Sequence, residues 1–243
     1  MIQRLSPQDR LFVLTGAGIS AESGLPTFRG ADGLWRGHRV EEVATPEAFQ
    51  ANPEMVWQFY SERRKRHATV TANAAHFALA SLERALGDHF FLCTQNVDSL
   101  HEQAGSRRIV HMHGCLMQTR CSRPGCRSKP FNDERLYLKR AEIPTCPQCG
   151  ALLRPQVCWF GEVPYSMELI LEQLRFCTVL LTVGTSGLVE PAASFVRIAR
   201  MHDARTIYVG PEEPANRTFF DTVVLGKAGE VLPKVVRELT EII

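Results

Sequence analysis

Four short apolar runs constrain this chain more than any other feature: Leu11–Thr15, Phe90–Cys93, Val179–Val183 and Thr206–Val209, each ending in Gly, Thr or Gln. A strand with one wet face alternates polar and apolar residues, whereas a nearly continuous apolar run is covered on both faces. Stretches of helical period lie between and after these runs, at Asn73 to Leu86, Pro191 to His202 and Glu230 to Ile243. Strands alternating with helices predict a doubly wound, Rossmann-like α/β sheet. Ligands of such sheets bind at the carboxyl ends of the strands, where the loops after the four runs lie.

Length and composition agree. A chain of 243 residues can bury one large core and a small satellite, and 44% hydrophobic with 22% charged residues is ordinary for a globular protein. A formal net charge of +2 favours neither nucleic acid nor an anionic membrane surface. No apolar run approaches the roughly 20 residues that span a bilayer. Met1 to Arg10 lacks the apolar stretch of a secretory signal, so a cytoplasmic location is expected. Two insertions interrupt the α/β pattern. Pro46 to His67 reads as helical, with Pro46 and Pro53 each where a helix can start. Leu116 to Leu153 has no long periodic segment and carries paired cysteines. The expected division is a discontinuous Rossmann-like domain (1–27, 73–114 and 155–243) and a smaller helical and zinc-binding domain (28–72 and 115–154).

The first run stops at Gly16-Ala17-Gly18-Ile19-Ser20-Ala21. Glycines at this spacing allow a tight turn and close backbone approach to a pyrophosphate; the plainer reading is a glycine turn after a strand. No clear strand carries a ribose-binding acid further on, which argues against an ordinary dehydrogenase. Thr94-Gln95-Asn96-Val97-Asp98-Ser99-Leu100-His101 packs amides, a carboxylate and a histidine together, which suits a sugar-hydroxyl site with a general base. His111 and His113 are two apart and share a side if both lie on a strand. Cys93, Cys115, Cys158 and Cys177 stand singly in apolar segments and read as core residues. Cys121-x4-Cys126 and Cys146-x2-Cys149 read as the four thiolates of a closed, structural zinc site. Unliganded thiols are one competing reading. A nucleic-acid-binding ribbon is another, although Arg120, Arg123, Arg127 and Lys129 read first as a solvated surface.

In order along the chain, GAGIS, GLPTFRG, TQNVDSLH, HMHG, FGE (Phe160-Gly161-Glu162) and GTS (Gly184-Thr185-Ser186) resemble the motifs of sirtuins, which are NAD-dependent protein-lysine deacylases. The likeness covers nearly the whole chain. It implies that Gly16, Ala17, Gly18, Ser20, Thr27, Phe28, Arg29 and Trp35 bind NAD. Gln95, Asn96, Val97 and Asp98 would serve the nicotinamide ribose, Gly184, Thr185 and Ser186 the adenosine ribose, and Ala228 the adenine. One departure stands out. Where close relatives carry an Asn after the Thr206–Val209 strand, this chain has Gly210-Pro211-Glu212, so backbone contacts or Glu212 would have to substitute.

By the same resemblance His113, before Gly114, is the catalytic base and an NAD contact, and Asn96 joins it as a catalytic residue. His111 is then a supporting residue and His101 a helix-packing one. The implied reaction begins when the acyl-lysine carbonyl oxygen attacks the anomeric carbon as nicotinamide leaves. Neutral His113 then takes a proton from a ribose hydroxyl, and water finally releases the lysine. Products are nicotinamide, O-acyl-ADP-ribose and free lysine, so NAD is consumed.

Tyr60 and Arg63 are three apart on a predicted helix and share a face. A phenol with a guanidinium can clamp a carboxylate, although an aromatic anchor beside a surface Arg is the plainer reading of the spacing alone. By resemblance, Tyr-x-x-Arg marks the sirtuin class, CobB-type enzymes included, that removes succinyl, malonyl and similar acidic acyl groups, with Ala31 keeping the pocket roomy. The peptide is expected to pair by backbone along Val157, Cys158, Trp159, Phe160, Gly161 and Glu162. The sum of these expectations is a monomeric or weakly associating deacetylase and desuccinylase with NAD as co-substrate and one structural zinc. Acyl-lysine proteins are its partners, bound in a cleft between the domains, with no membrane or direct nucleic-acid partner. Two rivals stand beside it: an NAD-dependent ADP-ribosyltransferase, and a non-enzymatic zinc-ribbon binding protein.

Overall fold

The computed structural model describes residues 2–27 and 39–240. The elements begin with β1 (Leu11–Thr15), α1 (Val40–Val43), α2 (Pro46–Ala51), α3 (Pro53–His67), α4 (Ala74–Leu86) and β2 (Phe90–Thr94). Next come α5 (Leu100–Gln103), β3 (Ile109–His111), β4 (Gly114–Cys121), β5 (Phe131–Asn132) and β6 (Leu153–Val157). The last are α6 (Met167–Phe176), β7 (Val179–Val183), α7 (Phe195–Met201), β8 (Arg205–Gly210), β9 (Thr222–Leu225) and α8 (Ala228–Thr240). Among the described residues no helix is long and apolar enough to cross a membrane.

The chain divides into two compact units. The first comprises Met1–Thr27, Thr71–Met112 and Ser166–Ile243, the second Phe28–Val70 and His113–Tyr165. In the first unit six strands pair in parallel in the order β3-β2-β1-β7-β8-β9. The order reverses between β1 and β7, which makes that pair the switch point of a doubly wound sheet. Its two faces explain the unbroken apolar runs. Leu11 and Val13 of β1 join a cluster with Leu79 of α4 and Leu232 of α8. Phe12 and Leu14, on the opposite face, join one with Ile170 of α6 and Phe195 of α7. Each of these side chains is at most 3% exposed, and burying one contributes about 1.5–3 kcal/mol.

The helix starts follow local chemistry. Thr45 Oγ1 accepts from Ala48 N ahead of Pro46, and Asn52 Oδ1 from Met55 N ahead of Pro53. Each proline occupies a first-turn position where its missing N–H costs nothing. Asn73 Oδ1 caps α4 through Ala75 N.

The second unit holds an antiparallel sheet in the order β5-β4-β6. Arg64 of α3, 1% exposed, is its polar centre. Its guanidinium donates to the carbonyls of Leu116 (2.9 Å), Arg135 (2.8 Å) and Gln118 (3.1 Å) and to Thr119 Oγ1 (3.0 Å). Asp133 stands 3.6 Å away and accepts from Thr119 Oγ1 and Tyr137 Oη. Burial pushes the Asp133 carboxyl up, but Arg135, Thr119, Tyr137 and Arg64 outweigh it and hold the group below the usual carboxylate range. A buried charge this fully matched ties α3 to the sheet, and removing one partner of such a pair generally costs about 3–5 kcal/mol.

Three expectations are corrected. His111 and His113 do not share a strand: β3 ends at His111, Met112 and His113 form a turn, and β4 begins at Gly114. Pro155–Val157 do not join the large sheet, because they lie in β6, whose partner is β4. Only Phe195–Met201 of the Pro191–His202 stretch is α-helical, after a 3-10 turn at Ala192–Ser194.

Candidate active site

In the first unit the loops after β1, β2, β7 and β8 gather at the carboxyl edge of the sheet, and backbone bonds join them pairwise. Gly16 N donates to Val183 O, Gly18 N to Gly184 O, Gln95 N to Thr15 O and Gly184 N to Val209 O. The two glycine loops flank the switch point and touch. A Cβ on Gly18 would lie 2.7 Å from Gly184 Cα, and one on Gly184, left-handed at φ +64°, would lie 2.5 Å from Ile19 N. The close approach that the glycines permit is therefore, in the first place, of one loop to the other. Ala17 opens a 3-10 turn ending at Ser23, after which Thr27 is exposed. Phe28, Arg29, Ala31 and Trp35 lie outside the described residues.

A directional hydrogen-bond network orders the amide-rich loop. Asn73 N–H donates to His76 Nδ1 (3.3 Å), so the ring proton sits on Nε2, which faces Ser20 Oγ at 3.4 Å. Burial pushes His76 down to about 4, keeping it neutral. Ser20 Oγ also accepts from Asn96 Nδ2 (3.1 Å) and donates to Asp98 Oδ2 (3.1 Å), while Asp98 Oδ1 accepts from Leu100 N. Asn96 thus commits its amide nitrogen and presents its oxygen as an acceptor. Half-buried Gln95 and Val97 alternate with buried Asn96 and Asp98.

The two other histidines here play different parts. His101 is fully buried with Nε2 3.0 Å from Thr15 Oγ1, and desolvation, then the neighbouring histidines, pushes it well below the ordinary value. His111 has Nδ1 3.0 Å from Asn96 O and Nε2 2.7 Å from Glu102 Oε1. Both neighbours can accept and so favour protonation of the ring; burial lowers its pKa, but Glu102 and Asn96 raise it overall.

In the loop after β7, Gly184, Thr185 and Ser186 are half-buried, and Ser186 O accepts from Ala215 N. Gly210 closes β8, followed by exposed Pro211 and Glu212. Ala228 is the first residue of α8 and is buried. Glu22, which sequence reasoning passed over, receives Gly229 N at 2.6 Å and so ties the glycine loop to the start of α8.

In the second unit His113 is half-buried in its turn, where its carbonyl accepts from Cys158 N at 2.8 Å. Gly114 follows at φ +82°, where a Cβ would lie 2.1 Å from Gln156 O. Only glycine fits there, which is the physical content of the His-Gly pair.

Tyr60 is fully buried. Its oxygen accepts from the indole N–H of Trp159 at 2.9 Å, and burial pushes the phenol up to about 12, so it stays protonated. The Arg63 guanidinium carbon lies 5.9 Å from the centre of the Tyr60 ring and 5.7 Å from that of Phe59. Trp159 is held in turn by Arg154, whose guanidinium stacks on the indole at 3.3 Å. Arg154 pairs with both oxygens of Glu162 (2.7 and 2.9 Å) and donates to Val157 O, and Glu162 also accepts from Trp159 N. The Glu162 carboxylate therefore holds its own loop. Phe160, 46% exposed, donates its N–H to Ala44 O, Gly161 is left-handed at φ +86°, and Cys158 is half-buried. Arg154 carried a weak signal in the sequence, as the one charge inside the Leu153–Val157 run.

Cys121, Cys126, Cys146 and Cys149 bring their sulfur atoms within 4.8 Å of one another, with Cys121–Cys149 at 3.4 Å and Cys126–Cys146 at 3.8 Å. A tetrahedron of thiolates about 2.3 Å from zinc has edges of about 3.8 Å, so the quartet fits zinc and leaves no ligand position open. Left-handed Gly150, whose N–H donates to Cys146 O, closes the second knuckle.

A profile described as the Sir2 family matches residues 16–191. The chain is 47% identical over 236 residues to the NAD-dependent protein deacylase of Pasteurella multocida (strain Pm70), covering 94% of this chain and 97% of that one. A solved Sir2 homolog–NAD complex is similar with a TM-score of 0.86 at 42% identity, over 97% of this chain and 91% of the other. A Sir2 variant solved with a deacetylated p53 peptide and 3'-O-acetyl-ADP-ribose gives 0.81 at 27% identity, over 94% and 92%.

Proposed function

The chain belongs to the Sir2 family, and on that premise we propose that it is an NAD-dependent protein-lysine deacylase that accepts acidic acyl groups as well as acetyl. The observation that carries the reading is the meeting of the glycine loops at the switch point, beside the network of Ser20, Asn96, Asp98 and His76. Bound NAD supplies the glycosidic bond whose loss of nicotinamide drives acyl transfer. Gly16, Ala17, Gly18, Ser20 and Thr27 hold its phosphates and nicotinamide side, with Phe28, Arg29 and Trp35 assigned there by resemblance. Gln95 to Asp98 take the nicotinamide ribose and amide, and the fixed amide of Asn96 offers its oxygen to a sugar hydroxyl. Gly184, Thr185, Ser186, the Gly210–Glu212 loop and Ala228 serve the adenosine end. His113, as a neutral imidazole, takes the proton of a ribose hydroxyl. Acyl-lysine peptides pair by backbone with Val157 to Glu162.

The acidic-acyl part rests on the polarity of Tyr60. Because Trp159 donates into the phenol oxygen and burial keeps the phenol protonated, Tyr60 has its own proton to give, and a carboxylate is the strongest acceptor for it. Arg63 supplies the balancing charge. Arg63→Met is expected to lower kcat/KM for a succinyl-lysine peptide by about ten- to a hundredfold, the worth of a hydrogen-bonded charge, and to lower it for the acetyl peptide far less. Equal losses on the two peptides would remove the clamp and keep the deacylase.

A further inference from the structure

Gly210 is the last residue of β8. It is not one of the left-handed glycines, so its own backbone does not demand glycine. The demand comes from Tyr208. A Cβ at 210 would lie 2.3 Å from Tyr208 Oη and 2.7 Å from its Cζ. The two residues are i and i+2 on β8 and share a face, and the ring lies along the strand toward its carboxyl end, over the glycine. Tyr208 is 2% exposed, packs on Phe220 at 5.4 Å, and donates its hydroxyl to Thr185 O at 3.0 Å. The phenol thus fills the space in which a side chain at 210 would begin, and uses it to reach the loop after β7.

The reach matters because of which atom it holds. The carbonyl of Thr185 and the N–H of Ser186 belong to one planar peptide, so anchoring the first fixes the direction of the second. On either side, Gly184 is already bonded to Val209 and Gly18, and Ser186 O to Ala215 N. Tyr208 supplies the remaining anchor in the middle of the three residues.

We propose that Tyr208 is a positioning residue for the adenosine-ribose loop: its hydroxyl, admitted by the bare Gly210, orders Thr185 and Ser186 from beneath. The proposal rests on the reading of Gly184–Ser186 as part of the NAD site. Tyr208 and Gly210 form a matched pair, and neither changes alone without cost.

Calorimetric titration of the whole chain with ADP-ribose tests this without turnover. Tyr208→Phe keeps the ring and removes only the donor; its ADP-ribose affinity is expected to fall about five- to tenfold, as loss of one ordered hydrogen bond gives. The KM for NAD should rise by the same factor and that for the acyl peptide should not. Gly210→Asn is expected to weaken binding further while Tyr208 is present, because its Cβ would meet the phenol, and Tyr208→Val combined with Gly210→Asn to bind more tightly than Gly210→Asn alone. Melting curves separate these effects from unfolding. Wild-type affinity in Tyr208→Phe, or a double variant no tighter than Gly210→Asn alone, overturns the proposal while the NAD site stands. Failure of the unmodified chain to bind ADP-ribose overturns the NAD-site reading itself, and the proposal with it.

Discussion

Replacing His113 with Ala is expected to cut turnover of an acyl-lysine peptide by about a hundredfold or more, the usual worth of a general base, while the protein remains folded. The local structure explains why the two effects separate. The turn that carries His113 is held by backbone: Cys158 N donates to its carbonyl, and the left-handed Gly114 steers the chain beneath Gln156 O into β4. None of those constraints passes through the imidazole. Steady-state rates on an acetyl-lysine peptide, with a melting curve of the same sample, make the comparison. Turnover within a few-fold of the original would strip His113 of the role; a collapsed melting curve would make it structural.

Loss of zinc should have the opposite signature. Structural zinc in small cysteine sites contributes on the order of 10–16 kcal/mol, as much as the whole stability of a typical domain at about 5–15 kcal/mol. Among the described residues the buried cluster around the quartet is small: Cys121, Cys146 and Leu153, with Cys126, Cys149 and Ala151 packed at its edge. Strong chelation, or Cys149→Ser, is therefore expected to melt β4, β5 and β6 around the quartet while the parallel sheet retains its own core. Hydrogen exchange resolved by segment reads this directly. Unchanged protection of β4 after the metal has been removed would contradict a structural zinc.

Much of the molecule was legible in the sequence for physical reasons that can be named. β1 and β7 announce themselves because both faces are covered, so every residue of each is buried. The capped prolines announce α2 and α3, and the cysteine spacing announces the zinc knuckles. β3 and β9 were silent because they are short and only partly buried, at the two edges of the sheet. The small sheet was silent because a register shift between Cys115 and Thr119 breaks the alternation that would reveal β4.

The site divides along the same line. Motifs identify residues adjacent in sequence, such as Gln95 to Asp98, but not partners that only folding brings together. Trp159 lies 99 residues from the Tyr60 whose hydroxyl it orients. Gly18 and Gly184 explain each other, yet lie in loops that follow different strands. Arg64 stands in the sequence among Arg63, Lys65 and Arg66 with nothing to set it apart, and it is the buried polar centre of the second unit. Tyr208 looked like an apolar strand residue, and the reason for Gly210 could not be read until the phenol was seen to lie over it.

The most direct test of the deacylase is mass spectrometry of matched acetyl- and succinyl-lysine peptides incubated with the protein, with and without NAD. The account predicts NAD-dependent loss of both acyl groups, with one nicotinamide and one O-acyl-ADP-ribose formed per lysine freed. A peptide that kept its acyl group while ADP-ribose appeared on protein would contradict it and make the chain an ADP-ribosyltransferase.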